Sequence, residues 1–513
     1  MKVFKIFVSL ILTVLIFTSC ASKRYESILF NKSIEDYGNT GGLTLPFDVN
    51  NTEIKVMIVS DTEELSDSLF VKELSKRTGL NINITNVSSS DESRYTQLLL
   101  STNTLPDIMK TTLKIDEINS LGEKGTFVSV NKYLAELPNF RRIFIEDSVY
   151  SSVMDDYTAN DNNLYFYPQF DYQKEITKGF LYRKDIFDKN GLKMWQGKDE
   201  FYNVLKTLKE LYPDSNPYIS ESGINILDEW SLSFGIDFPG MFYDYKEERW
   251  IYSGCDPRFL TMLEFIKKLY DEKLLYKSFL STNETLWDWK ITGQNAFITY
   301  GDLSYMETLS KKGKANNPQF DLSFANPPGD IFKVRKSDIT GMGPAVTNNK
   351  NSLLSLKLLD YLASPSGIEL STLGVLNKTY EYKSGSVVYN DFNENDYIVG
   401  KELEEKYGLF MDGLLRSVDK RSPYLNYSKK EQEVLRIIYE KDGFIEEYPK
   451  LKLKNEDRQK SKEILTILNN KAYEFAHNYI LGTDDKNFNE WLSDAEKSGL
   501  KELEDIYNNH KER

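Results

Sequence analysis

Few residues in this chain have types and spacing suited to covalent chemistry. There are two cysteines, Cys20 and Cys255, and two histidines, His477 and His510, in 513 residues. A thiol nucleophile needs a basic partner and a zinc site needs clustered Cys and His, yet neither histidine has another His or a Cys near it in sequence. Cys255 therefore reads as a buried or half-buried small hydrophobe. Acid pairs are present at Asp155 and Asp156, Glu247 and Glu248, and Asp484 and Asp485, and two carboxylates can hydrolyse a glycoside. Neighbouring residues, however, point to different sides of a strand or helix, so these pairs read as solvated surface. No catalytic residue is assigned. With 64 basic against 78 acidic residues the net charge is −14, the wrong sign for gripping phosphate backbones, and nucleic acid is excluded as a partner. Aromatics make up 13% of the chain, 33 of them tyrosines, which suits stacking on sugar rings but mostly serves packing.

The N-terminus MKVFKIFVSLILTVLIFTSC has a basic front, an apolar run over residues 6–17 and a small-residue exit. That run is shorter than the ~20 apolar residues a membrane-spanning helix needs, so it reads as a cleavable export signal. Residues 17–20, FTSC, resemble a bacterial lipobox, although Phe17 stands where Leu is usual. The resemblance implies that Cys20 carries the lipid, leaving Cys255 without a disulfide partner and the protein on the extracytoplasmic face of the cell membrane. Residues 21–50, polar and glycine-rich, read as a flexible tether reaching on the order of 30 Å.

The globular part then begins with the alternating strand Ile54, Val56, Ile58, which ends at Ser60 and Asp61. A helical face at Leu65, Leu69 and Leu74 stops at Gly79, and INITNV, a helix through Leu99 and the short strand DIM follow. Strand and helix alternating at this spacing predict right-handed crossovers and a parallel sheet, with ligand at the carboxyl ends of the strands. Asp61 and Lys110 fall at that rim.

The segment TGLNINITNVSSSDESRYTQLLLSTNTLPDIM resembles the opening lobe of extracellular solute-binding proteins, family 1, in their large oligosaccharide-binding lipoprotein subgroup. GTFVSVNKYLAELPNF, LYFYPQ, FLYRKDIFDKNGLK, GQNAFITYGDLSYMETL and the stretch from GPAVTNNKNS to NKTYEY continue the likeness in order, as does the tail over residues 487–507. The resemblance implies an α/β, two-lobed periplasmic-binding-protein-like fold. Each lobe would be a mostly parallel sheet flanked by helices, joined by hinge strands crossing near residues 169–178, 338–343 and 383–390. Residues 51–172 and 338–385 would form the first lobe, and 173–337 and 386–513 the second. NSLLSLKLLDYLAS and the tail helix with Trp491 read as core-facing.

What the resemblance implies for function is a substrate-binding lipoprotein of an ABC importer, monomeric, that captures a carbohydrate, expected to be an oligosaccharide, and delivers it to the permease subunits. An exported glycan-active enzyme, a stand-alone sensor or adhesin, and a binder of another solute such as a peptide remain alternatives. The ligand would be held in an interlobe cleft by Asp61, Tyr167, Gln169, Tyr172, Trp230, Trp287, Tyr300, Asp302 and Tyr305. No cofactor is expected. The subgroup's calcium-binding loop corresponds to LYPDSNPYISESG, which keeps Asp214, Ser215 and Asn216 but lacks the loop's glycine and later acids, so no metal is expected there.

Overall fold

A computed structural model of the chain describes residues 37–49, 52–220, 223–449, 451 and 453–509. Cys20, the export signal and residues 21–36 of the expected tether lie outside the described residues. Among the described residues no helix is long and apolar enough to cross a membrane.

Contacts divide the chain into two units, the first running to Gln173 and resuming over Asp338–Asn426, the second comprising Lys174–Ser337 and everything from Tyr427 onward. The chain thus passes from one to the other at 173/174, 337/338 and 426/427. The third passage corrects the expectation of one at residues 383–390 and moves 386–426 into the first unit. The reason is local: Tyr380–Lys383 and Ser386–Tyr389 form an antiparallel hairpin, and Ser384 and Gly385 both adopt left-handed φ values of 49° and 87°. Such a two-residue turn matches strand twist and sends the chain straight back. Tyr389 then locks the hairpin in place by donating to the Thr372 carbonyl at 2.7 Å.

The tether also needs correction over residues 37–49. Leu43, Leu45 and Phe47 alternate along the chain, and all three are buried in the first unit's core. Phe47 N–H donates to the Thr78 carbonyl at 2.9 Å. Each such side chain gains about 1.5–3 kcal/mol from burial, which favours a packed strap over a free coil.

The first unit is built on β1 (Glu53–Val59), β2 (Asn81–Val87), β3 (Ile108–Met109) and β4 (Ala345–Val346), in spatial order β4-β3-β1-β2. β1 is parallel to β2 and β3, while β4 runs antiparallel to β3. Ile54, Val56 and Ile58 are buried on one face; on the other Glu53 and Lys55 are exposed but Met57 is buried, so the strand is covered on both faces toward its carboxyl end. The crossover helix α1 (Leu69–Thr78) is opened by Ser68, whose hydroxyl accepts from Val71 N–H, and ends at Gly79 with φ 74°. The next crossover is α2 (Glu92–Thr102).

Glu92 fixes where the chain goes after β3. Only 1% exposed, its carboxylate accepts from Thr96 Oγ1 at 2.7 Å, Thr111 Oγ1 at 2.8 Å, Thr112 N–H at 3.1 Å and the Thr112 hydroxyl. Burial pushes its pKa up, but those hydroxyl and amide donors outweigh burial and hold it below the ordinary value.

In the second unit Lys178–Arg183 lies between Ile298–Asp302 and Leu322–Phe324 and is antiparallel to both. The named strands here therefore depart from the mostly parallel sheet expected of each lobe, although Tyr218 bridges Leu275 and Ile298 in parallel fashion. The physical reason is a split crossover. The helix Tyr305–Lys314 links two strands that are parallel to each other, and the incoming strand fills the gap between them in the opposite sense. The core behind this sheet is aromatic, with Phe201 and Trp230 in ring contact with each other and each with Tyr218 and Phe265. Helices Pro257–Asp271 and Asn455–Leu481 pack across it. Trp491 of the tail is buried as expected and donates to the Gly254 carbonyl at 2.7 Å. Cys255 packs on the same core, and burial raises its thiol pKa, consistent with an inert side chain.

Glu92→Ala strands three threonine hydroxyls and should destabilise the first unit by about 2–3 kcal/mol in urea unfolding at pH 7. Because the folded pKa is depressed, the difference from the parent protein should be full above the ordinary carboxylate value near ~4.3 and shrink as pH falls through the lowered one.

Candidate binding site

β1, β2 and β3 all end at the same edge of the first unit's sheet. Past those ends the chain supplies Ser60 and Asp61, Ser89, and Lys110, which together line one side of a pocket of about 600 Å³. Gln169, Tyr172 and Met342 come from beside the antiparallel pair Gln169–Phe170 and Thr340–Gly341. The remaining wall comes from α3 (Gly400–Tyr407) and the segment after it, with Glu404, Phe410, Asp412 and Tyr424.

Close approaches explain how that far segment reaches the strand ends. Gly413 has φ 114°, and a Cβ there would lie 3.0 Å from Lys110 Cβ and 3.1 Å from Ile58 Cγ2. Lys110 Nζ donates to the Met342 carbonyl at 3.1 Å and pairs with Asp412 at 3.2 Å, with only 14% of its side chain exposed. Arg416, wholly buried, donates to the carbonyls of Tyr167 at 2.6 Å and Gly413 at 3.0 Å. Burial without a contacting carboxylate pushes its pKa down to about 10.

Glu404 joins α3 to the end of β1. Its Oε1 accepts from Thr62 Oγ1 at 2.8 Å and from the Ser60 hydroxyl. Burial raises its pKa against those two bonds, and the charge of Asp412 adds to the rise. Tyr172 is likewise raised, by burial first and then by Asp338, so its phenol stays a neutral donor. Phe410 holds a left-handed φ of 60°, and its ring lies 4.7 Å from that of Tyr424 at 49°. An aromatic pair beside carboxylates, amides and hydroxyls can stack on a sugar ring and accept from its hydroxyl groups.

Of the residues predicted from sequence, Asp61, Gln169 and Tyr172 meet in this pocket. Asp61 is exposed, and Gln169 is held by its Nε2, which donates to the Leu415 carbonyl at 2.9 Å. Three others are corrected. Tyr167 is wholly buried, edge-on to Phe140, and donates to Asp360 at 2.9 Å. Trp230 is wholly buried in the second unit, its indole N–H on Tyr218 Oη at 2.9 Å. Trp287, 1% exposed, donates to Thr299 Oγ1 at 2.8 Å. All three satisfy their polar atoms inside a core, which leaves none for a solute. Tyr300 lies edge-on to Phe180 at 5.0 Å, Tyr305 packs on Trp287 at 5.0 Å, and Asp302 accepts from Ser304 N–H at 2.8 Å. None of these three lines the pocket described here.

Glu404, Phe410, Asp412 and Tyr424 were beyond sequence reasoning because their segment is expected in the other lobe. The usable signal was GLFMDG, in which Gly408 and Gly413 both require left-handed backbone around an aromatic and an acid.

Two other recesses are larger, and part of the charge at each is held in ion pairs. One of about 900 Å³ in the second unit is lined by Asp185, which pairs with the buried Arg183 behind it, and by Lys430 paired with Asp321. One of about 1000 Å³ in the first pairs Arg421 with Glu369 and Asp419, and Lys420 with Asp171. In the calcium-loop counterpart, Asp214 is exposed and the Lys209 ammonium donates to the Ser215 carbonyl at 2.5 Å. No group of three or more His, Cys, Asp or Glu side chains placed to hold a metal ion occurs among the described residues.

A family model described as bacterial extracellular solute-binding protein matches residues 70–379, more than half of the chain. The lipoprotein LipO of Bacillus subtilis (strain 168) is 23% identical over 496 residues, covering 89% of this chain and 93% of LipO. The polygalacturonan/rhamnogalacturonan-binding protein YtcQ of the same strain is 21% identical over 468 residues, covering 85% of this chain and 87% of YtcQ. Among solved structures, the alginate-binding protein AlgQ2 without calcium ion superimposes with a TM-score of 0.71 at 20% identity, covering 90% of this chain and 98% of AlgQ2.

The core placement of Trp230 predicts that Trp230→Ala removes about 3–5 kcal/mol from the second unit in thermal or urea unfolding. An unchanged melting profile would contradict the burial described.

Proposed function

The chain belongs to the bacterial extracellular solute-binding proteins, and from that premise we propose that it captures a carbohydrate outside the cytoplasmic membrane for uptake by an ABC importer. The observation that carries this reading is the pocket at the strand ends, where the Phe410 and Tyr424 rings stand beside Asp61, Glu404, Gln169 and Tyr172. Those groups match a sugar's apolar ring faces and its outward hydroxyls. The names of YtcQ and AlgQ2, which bind polygalacturonan or rhamnogalacturonan and alginate, support a glycan as the class of solute. An oligosaccharide is favoured over a single sugar by a pocket of about 600 Å³.

The protein acts by binding and release, without turnover, as a monomer delivering its ligand to permease subunits. It is held at the extracytoplasmic face of the cell membrane by lipid on Cys20. The FTSC sequence and the kinship with a protein named as a lipoprotein support the anchor.

Isothermal titration against a glycan panel tests the reading. Saturable binding with no new reducing ends supports it, whereas product release argues for an enzyme. Tyr424→Ala should weaken the bound glycan by about thirtyfold, or ~2 kcal/mol, with little change in melting temperature. Affinity unaltered by that change places the ligand elsewhere. Cys20→Ser should move the protein from the detergent phase of a Triton X-114 partition to the aqueous phase; continued partition into detergent argues against the anchor.

A further inference from the structure

Tyr167 is wholly buried, yet it stands where two parts of the first unit meet. On one side its hydroxyl donates to Asp360 Oδ1 at 2.9 Å, and on the other its carbonyl accepts from Arg416 Nη1 at 2.6 Å. Asp360 leads to the strap. Its buried carboxylate also accepts from the N–H groups of Asn139 at 3.1 Å and Phe140 at 2.7 Å and from Asn139 Nδ2 at 3.1 Å. The same Asn139 amide donates to the Thr40 carbonyl at 3.1 Å, and a Cβ at Gly41 would overlap Asn139 Oδ1, so the strap is seated directly on this side chain.

Arg416 leads the other way, to the pocket. Its Nη2 donates to the carbonyl of Gly413, the neighbour of Asp412, at 3.0 Å. Its own carbonyl accepts from Phe170 N–H at 2.9 Å, and the adjacent Gln169 holds the Leu415 carbonyl at 2.9 Å. Asp412, Gln169 and Leu415 all line the pocket. Arg416 Nε has no partner among the described residues, so the guanidinium's hydrogen bonds go to the Tyr167 and Gly413 carbonyls. A side chain at Gly343 would overlap both the Tyr167 carbonyl oxygen and Arg416 Nη1, which leaves no room for the three segments to shift past one another. In so dry a setting a group that loses its partner bears its full desolvation cost, and the links hold or fail together.

We propose that Asn139, Asp360, Tyr167 and Arg416 are positioning residues that transmit the seat of the strap to the pocket wall, so that residues 37–49 are a working part of the ligand-binding unit. The proposal takes the strand-end pocket as the binding site, as read above. Tyr167 then serves binding without touching the ligand.

Hydrogen–deuterium exchange of the full chain tests this without a ligand. Gly41→Ala disturbs the path at the strap, and Tyr167→Phe breaks it in the middle by removing one hydroxyl while keeping the ring. Phe410 N–H donates to the Ser371 carbonyl, and those of Leu414 and Leu415 to the Met411 carbonyl. Each variant should speed exchange over residues 410–415 about tenfold beyond any change in β1 and β2. Each should also weaken the tightest glycan of the panel by about tenfold, measured well below the unfolding temperature of the variant. Acceleration spread evenly over the first unit, acceleration at the strap that never reaches residue 410, or unaltered affinity with a loosened wall each overturn the proposal. If Gly41→Ala does not fold, Tyr167→Phe decides alone, through faster exchange at Phe47 as well as over residues 410–415. If no glycan binds, the carbohydrate reading fails, and the exchange pattern by itself decides this inference.

Discussion

Glu404 accepts from Ser60 and Thr62 across 344 and 342 residues of sequence, and that long-range attachment is what closes the pocket wall. β1 can present Ser60 and Asp61 at its end on local grounds alone, since a seven-residue strand followed by a polar turn needs nothing from elsewhere. A wall opposite those residues requires a distant segment to be drawn in and held. Three devices do this together: the Glu404 carboxylate on β1's end, the Lys110 ammonium between Met342 and Asp412, and the buried Arg416 guanidinium on two carbonyls. Each is a charged group in a partly dry setting, where hydrogen bonds to charge are stronger than neutral ones. Gly413 permits the approach, because a side chain there would meet Lys110 and Ile58. Glu92 plays the corresponding part on the other flank, fastening residues 111 and 112 to α2 so that Lys110 is aimed rather than loose.

These attachments explain the division of labour among the pocket's carboxylates. Glu404 is structural through one oxygen and available through the other. Asp412 is half committed, its partner being Lys110. Asp61 alone is both exposed and uncommitted among the described residues. The aromatic pair stands on a strained backbone, since Phe410 holds φ 60° without being glycine. Such conformations cost of order 1–3 kcal/mol and persist where surrounding contacts fix them. Here Phe410 N–H on the Ser371 carbonyl at 2.9 Å is one such contact, and the consequence is a ring turned against Tyr424.

How much of this was legible in the sequence follows from which interactions are local. The alternation at Ile54, Val56 and Ile58 and the stop at Gly79 were readable because strand period and helix cap are properties of a few neighbouring residues. Asp61, Gln169 and Tyr172 line the pocket because they follow a strand end and a chain crossing, positions that are readable from the sequence. The third passage was not readable, because a Ser-Gly turn between short strands looks like any polar loop until its pairing partner is known. A passage at residues 383–390 would put Glu404, Phe410, Asp412 and Tyr424 in the other lobe, away from β1. Trp230 and Trp287 were misplaced for a different reason. An indole suits a sugar face and a core equally, and only its neighbours, Tyr218 and Thr299 here, decide which. The strap at residues 37–49 reads as a tether because three glycines and a proline mask the alternation of Leu43, Leu45 and Phe47.

The central claim is that a sugar occupies the strand-end pocket of the first unit with a ring against Phe410 and Tyr424. A crystal structure of the protein with a glycan identified by the panel tests it most directly. The account predicts electron density for a sugar ring within van der Waals contact of that aromatic pair, with hydroxyls on Asp61 and Glu404 Oε2. A glycan bound with no contact to Phe410, Tyr424, Asp61 or Glu404 would contradict it.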